Sequence, residues 1–433
     1  MITRELELNK LKLYRDKPLI KVITWIRRCG KSTVLELFRQ DLLGTGVPAE
    51  NIISINFEDL ANEALLDYQT LHNFVLKNLK DGKNYVFFDE IQMVKNFEKV
   101  VNSLFIRENI DLYITGSNAD FLSWELATLL TGRYIEIKMY PFSFKEYVSA
   151  FEDKSRLDLM FNDYILYWWF PEVVNFLVNK QKTAIMDYLL GIYNTVLNKD
   201  IITRFRIADV ITFNNITKFL LDNIGGIVSS KKISNYLTQH YDKTSYNTVD
   251  KYIEALTSGL IFYEVPRRDI KWKQLLQTLT KYYVADLGFR RAMLGSAGST
   301  DLGYILENVV YFELLRRGNI VHIGKQGDRE VDFIAQNPET NATTYYQVSY
   351  TVTHKDTLQR ELEPLQMLND NYEKIILTTD IHETNYQGIK QINVINWLLG
   401  YGRGLWTIKM PYANDVMPLQ GDSQRIEQLW TKI

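Results

Sequence analysis

Trp25-Ile-Arg-Arg-Cys-Gly30-Lys31-Ser32-Thr33 follows the run Ile20-Lys-Val-Ile-Thr24 and leads into Thr33-Val-Leu-Glu-Leu-Phe-Arg-Gln-Asp-Leu42. The first run has the β-branched character of a buried strand, and the last repeats apolar residues at helical spacing. The stretch between them spells Gly-x4-Gly-Lys-Ser/Thr with Trp25 in place of the first glycine. Such a loop, set between strand and helix, turns backbone N–H groups and a helix N-terminus toward phosphate oxygens. Lys31 adds a mobile point charge, and the Ser32 hydroxyl is a natural Mg²⁺ ligand. The stretch predicts a P-loop α/β fold in which Arg28, Cys29, Gly30, Lys31, Ser32 and Thr33 line a nucleotide phosphate chain.

Further along, Asn84-Tyr-Val-Phe-Phe88 reads as a buried strand and ends in Asp89-Glu90. An acidic pair at that end lets Asp89 join Ser32 at the metal ion while Glu90 polarises an attacking water as general base. Ile110-Asp-Leu-Tyr-Ile-Thr115 reads as another strand and runs into Gly116-Ser117-Asn118. Asn118 or Ser117 would then sense the terminal phosphate, although an ordinary strand-to-helix cap explains them equally well.

At 433 residues the chain exceeds one core, and two to four domains are expected. Lys and Arg number 50 against 52 Asp and Glu, so no global basic field draws it to nucleic acid. One cysteine permits no internal disulfide, and five scattered histidines make no zinc-type cluster. The most apolar stretch, 164–178, is interrupted by Pro171, Glu172 and Asn175 and is too short to span a bilayer. With no signal-like N-terminus, a soluble cytoplasmic protein is expected.

The texture of the chain divides it into an ATPase core at 1–140, a helical lid at 141–205, a winged-helix-like module at 206–299 and a last α/β domain at 300–433. In the first, strands at 20–24, 51–57, 84–88, 110–115 and 134–138 alternate with helices, the rhythm of a parallel sheet covered on both faces. In the second, 161–178 reads as one helix. In the third, helices at 216–221, 230–238 and 244–256 precede Gly259-Leu-Ile-Phe-Tyr-Glu-Val-Pro266, which resembles a wing. Ser245, Asn247, Thr248 and Lys251 would face DNA through the 228–266 segment. In the fourth, Glu307 on a helix, Asp332 on a strand and Gln347-Val-Ser349 on the next strand outline a restriction-endonuclease-like site. Such a site needs Glu-x-Lys where this chain has Gln-x-Ser, so a degenerate nuclease fold without cleavage is expected.

The chain resembles, almost end to end, bacterial and archaeal proteins with an N-terminal AAA-type (AAA+) ATPase domain and a C-terminal domain of unknown function 4143. The resemblance rests on 26–33, Phe-Phe-Asp-Glu-Ile-Gln (87–92), Thr-Gly-Ser-Asn (115–118), Glu-Leu-Ala-Thr-Leu-Leu-Thr-Gly-Arg-Tyr (125–134) and Pro-Phe-Ser-Phe-Lys-Glu (141–146). Lys-Tyr-Tyr-Val-Ala-Asp-Leu-Gly (281–288) and Gly-Tyr-Ile-Leu-Glu-Asn-Val-Val-Tyr (303–311) extend it. It implies ATP binding with Mg²⁺-dependent hydrolysis, and a trans-acting or sensor role for Arg133. A protein partner of unspecified identity is expected, with a homo-oligomer as one assembly open to the chain; the sequence reveals neither the partner nor the oligomeric state.

The departures share one residue type. The pattern has glycine or a small residue at 25, 124, 168, 169 and 272, and this chain has Trp at all five, out of eight tryptophans in total. Glycine in such places serves a positive φ or a close backbone approach. An indole at 25 that costs ~2–4 kcal/mol to accommodate would weaken ATP roughly 30- to 1,000-fold. The reading is therefore an ATPase that couples Mg·ATP to conformational change, with a hydrolysis-impaired DNA- or protein-binding scaffold as the alternative.

Overall fold

Short apolar runs build the first sheet. Strands β1 (Ile20–Trp25), β2 (Ile52–Asn56), β3 (Asn84–Asp89), β4 (Ile110–Ser117) and β5 (Tyr134–Lys138) pair in the order β2-β3-β4-β1-β5, each pairing parallel. They lie within two residues of the strands expected from the sequence. The computed structural model describes residues 2–25, 29–117, 130, 132–167, 170–272, 274–295 and 301–401.

In β3, Tyr85 and Phe87 enter one apolar core while Val86 and Phe88 enter another. That alternation, with both faces buried, is what a parallel sheet between helical layers requires. Helices α1 (Glu5–Tyr14) and α2 (Lys31–Gly44) cover the first face with Leu8, Leu11, Phe38 and Leu42. Helices α3 (Tyr68–Asn78) and α4 (Phe97–Phe105) cover the second with Leu71, Val75, Val101 and Leu104.

A helical stretch follows. In α5 (Phe144–Ser149), Ser143 accepts from the Glu146 N–H and Glu146 reaches back to Ser143, a reciprocal cap. The run 161–178 is two helices rather than the expected one, α6 (Leu157–Tyr167) and α7 (Pro171–Val178). Pro171 stands first in α7, and the residue before a proline is pushed out of helical conformation, so Phe170 is extended at φ −64°, ψ 139°. Then α8 (Thr183–Thr195) passes into a π-helical stretch, Val196–Thr203.

Next come α9 (Val210–Asp222), β6 (Ile227–Val228), α10 (Ser230–His240), α11 (Tyr246–Ser258), β7 (Phe262–Asp269) and β8 (Gln274–Val284); three helices and a strand within 259–266 were expected, whereas β6 and β8 were not. After α12 (Leu287–Leu294) and α13 (Leu302–Arg316), strands β9 (Ile320–Gln326), β10 (Arg329–Gln336) and β11 (Thr343–Val348) lead to α14 (Lys355–Gln366). Strands β12 (Glu373–Thr378), β13 (Thr384–Tyr386) and β14 (Ile389–Asn393) precede α15 (Val394–Leu399). The second sheet runs β13-β14-β12-β11-β10-β9-β7-β8-β6. Its middle joins two segments read apart in the sequence, because Arg267, Arg268 and Asp269 pair in parallel with Ile323, Gly324 and Lys325. The hairpin expected as a wing is thus bound along one edge, and the boundary expected at 299 falls inside one sheet. Among the described residues no helix is long and apolar enough to cross a membrane.

Candidate functional site

The order β3-β4-β1 sets the end of β1 one strand away from the end of β3, so the loop leaving β1 and the acids closing β3 meet at the C-terminal edge of the sheet. Gly30 stands at φ 96°, ψ 26° before α2, a left-handed conformation that costs glycine little. A Cβ there would lie 3.7 Å from Cγ of Pro171, so the first residue of α7 borders the loop. Lys31 opens α2 and is buried, with Nζ 3.5 Å from Oε1 of Glu90.

Asp89 ends β3 with each carboxylate oxygen engaged. Thr115 Oγ1 donates to Oδ1 at 2.5 Å, and Asn56 Nδ2 donates to Oδ2 at 3.2 Å. The Asn56 contact follows from register, since Asn56 pairs with Asp89 across β2 and β3. Burial pushes the Asp89 carboxyl above the usual carboxylate range, while hydrogen bonds from Ser32 and Thr115 act against that shift. Ser32 and Asp89 therefore lie near enough to interact. A hydroxyl and a buried carboxylate so placed are hard oxygen donors that suit Mg²⁺.

Glu90 is left-handed at φ 56°, ψ 47°, a sparse conformation for a residue with a side chain. Its N–H donates to Thr115 Oγ1 at 3.0 Å, so one hydroxyl holds the backbone of Glu90 and the carboxylate of Asp89. Gln92 Nε2 donates to Oε2 of Glu90. Thr115, Asn56 and Gln92 were not singled out in the sequence. Gln92 and Thr115 stand in two of the stretches that carry the resemblance, 87–92 and 115–118, whereas the signal for Asn56 is its place at the end of a strand.

Other expected site residues fall differently. The Cys29 side chain is buried in the first core, and burial raises its thiol pKa, so only its backbone faces the loop. Thr33 stays close to Gly30, its Oγ1 4.0 Å from where a Gly30 Cβ would be. Arg28 and Asn118 lie outside the described residues, as does the side chain of Ser117. Arg133 precedes β5, and its carbonyl accepts from the N–H of Ile20 at the start of β1. That is the opposite end of the strands from Lys31, and the Arg133 guanidinium lies over the Phe105 ring. On α11, Ser245 caps the helix by accepting from the Thr248 N–H, and the two hydroxyls lie 2.9 Å apart. Asn247 and Lys251 are exposed.

The nuclease-like station is filled in a way the sequence did not show. Lys281 on β8 is 3% exposed, with Nζ 3.0 Å from Glu307 Oε2, 2.7 Å from Glu330 Oε1 and 3.8 Å from Asp332 Oδ1. Asp332 also accepts from the Val348 N–H, and Gln347 donates to Glu361. Burial works against the Lys281 charge, but Glu307, Asp332 and Glu330 outweigh it and hold the pKa above that of an ordinary lysine. No group of three metal-binding side chains occurs among the described residues.

The AAA domain family matches residues 17–148, and domain of unknown function 8612 matches 159–300. The expected assignment to domain 4143 is thereby corrected. An uncharacterised protein of Haemophilus influenzae is 38% identical over 405 residues, spanning 92% of this chain and 99% of the relative. An uncharacterised protein of Methanocaldococcus jannaschii is 29% identical over 419 residues, spanning 91% and 87%. Among solved structures, the Walker-type ATPase of Pyrococcus abyssi aligns with TM-score 0.48 and 16% identity over 68% of this chain and 96% of that one. AMPPCP-bound DnaA of Aquifex aeolicus aligns at 0.32 and 14%, over 59% and 89%. With an AAA domain over its first sheet and near-complete coverage of the H. influenzae protein, the chain belongs to the family of that relative.

Proposed function

We propose that the chain is an ATPase that binds Mg·ATP at the edge of its first sheet and hydrolyses it. The observation that carries this reading is the convergence of Lys31, Ser32, Asp89 and Glu90 on one edge, from a loop and a strand far apart in sequence. The AAA family match over the same residues supports it. Lys31 and the backbone of 29–32 hold the β- and γ-phosphates, and Ser32 and Asp89 hold the metal ion. When bound, Mg²⁺ neutralises charge on the phosphate oxygens. Glu90 takes a proton from water as the water oxygen bonds to the γ-phosphorus. The bond to the bridging oxygen breaks with its electron pair left on ADP.

The nearness of Pro171 to Gly30 supports coupling of occupancy to the helical segment that begins there. That movement, acting on a protein partner, is the output in this proposal. Glu90→Gln should retain Mg·ATPγS binding and lose turnover by at least about 100-fold. Lys31→Ala should lose the binding itself. Turnover unchanged in Glu90→Gln would end the hydrolytic reading.

The scaffold alternative is favoured by one observation, the exposed Tyr246, Asn247 and Lys251 along α11. Duplex affinity through that helix would fall steeply with salt. A flat salt response counts against DNA.

A further inference from the structure

Glu90 is the site's most constrained residue, and the contacts that constrain it are unequal in permanence. Its left-handed backbone is clasped by Thr115, which leaves the side chain to be placed by its own partners. One carboxylate oxygen faces Lys31 at 3.5 Å, and the other accepts from Gln92 Nε2. Lys31 is the cation that phosphate oxygens would draw away, so the Lys31 contact belongs to the resting site. Gln92 lies two residues on, within the helical turn Ile91–Met93, and its neutral amide carries no charge for a phosphate to draw away. Its carbonyl oxygen Oε1 is buried and has no hydrogen-bond partner among the described residues. A buried amide oxygen left without a partner is costly, so a conformation that keeps Nε2 on Glu90 at that expense is held for the Glu90 contact.

We infer that Gln92 is a positioning residue for Glu90: it fixes the carboxylate when nucleotide engages Lys31. The inference rests on the hydrolytic reading above. In the resting site Glu90 bridges Lys31 and Gln92. On loading, the Lys31 end is released, and the Gln92 end keeps the carboxylate from swinging away from the γ-phosphate. A displacement of about 1 Å at such a base is enough to cost on the order of 100-fold in rate.

The test compares Gln92→Ala and Gln92→Met with the chain as given and with its Trp25→Gly form, whichever turns over faster. Methionine nearly matches glutamine in length and volume but lacks the amide. If Gln92 positions Glu90, both variants lose kcat roughly 10- to 100-fold while KM for ATP and the Kd of Mg·ATPγS stay within about threefold. Gln92→Asn, which keeps the amide one methylene shorter, should recover part of the loss. If Gln92 only packs, Gln92→Met equals the parent while Gln92→Ala loses thermal stability, and the inference is overturned. Glu90→Gln in the same assay separates the two readings. Turnover that depends on Glu90 but not on the Gln92 amide removes this inference alone, whereas turnover indifferent to Glu90 removes the hydrolytic reading and this inference with it.

Discussion

Lys281 donates to Glu307 across 3.0 Å, and the bond joins strand β8 to helix α13 inside a pocket of carboxylates where the sequence had foreseen a cation site short of its lysine. The lysine is present, but it arrives from a different strand and its ammonium stands among the acids. Tyr283 adds its hydroxyl to the same Glu307 oxygen, and burial raises the Glu307 carboxyl above the usual range. The cluster ties β8 by charge to α13 and to β10 of the same sheet.

Lys281→Met should therefore be strongly destabilising. It leaves Glu307, Asp332 and Glu330 without the ammonium, and breaking a buried pair from one side costs about 3–5 kcal/mol. Urea denaturation would show the midpoint falling with an unchanged slope, and the deficit should shrink at low pH as the acids protonate. A loss under about 1 kcal/mol at neutral pH would contradict the assignment.

A pH dependence follows from Asp286, which caps α12 by accepting from the Gly288 N–H at 2.6 Å. Burial pushes its carboxyl up to about 8 from 3.8, against the pull of the Gly288 and Phe289 N–H groups. A folded-state value above the unfolded one means that the native chain holds the proton through that window. Stability then falls as pH rises from about 4 to about 8, by at most about 1.4 kcal/mol per unit. Asp286→Asn cannot titrate, so its stability relative to the parent should climb between pH 5 and pH 8. Denaturation curves at three pH values would decide, and a constant difference would refute the assignment.

Much of the first sheet was legible because a parallel sheet buried on both faces writes itself as short apolar runs, and because Lys31-Ser32 and Asp89-Glu90 lie at the ends of two of them. What could not be read depended on register and long-range closure. Asn56 reaches Asp89 only because β2 pairs with β3 in one register, and a shift of a single residue would turn it away. Lys281 could not be assigned to Glu307 from a run that reads as an ordinary strand. The break before Pro171 was visible as a proline, yet the apolar pattern on both sides of it carries a helical period and conceals the stop.

Thr115 gives a third test. Thr115→Val keeps the shape and removes a hydroxyl that accepts from Glu90 and donates to Asp89. An unpaired buried N–H costs about 1–3 kcal/mol, and the left-handed turn at Glu90 loses its clasp. Thermal denaturation should show that loss together with a fall in turnover larger than the fall in Mg·ATPγS affinity. A variant equal to the parent in both would show that the turn is held by other contacts.

The tryptophans supply the last test. Trp25 closes β1 opposite Ser117, at the position where a phosphate loop takes glycine, and Trp272 stands 67% exposed in the turn between β7 and β8. Nothing in the structure explains an indole at 272. Calorimetry tests the consequence of Trp25 for nucleotide binding. Trp25→Gly should bind Mg·ATPγS roughly 30- to 1,000-fold more tightly than the chain as given, because ~2–4 kcal/mol of crowding leaves the loop. Equal affinities would mean that the loop accommodates the indole, and Trp25 would then have no bearing on nucleotide binding.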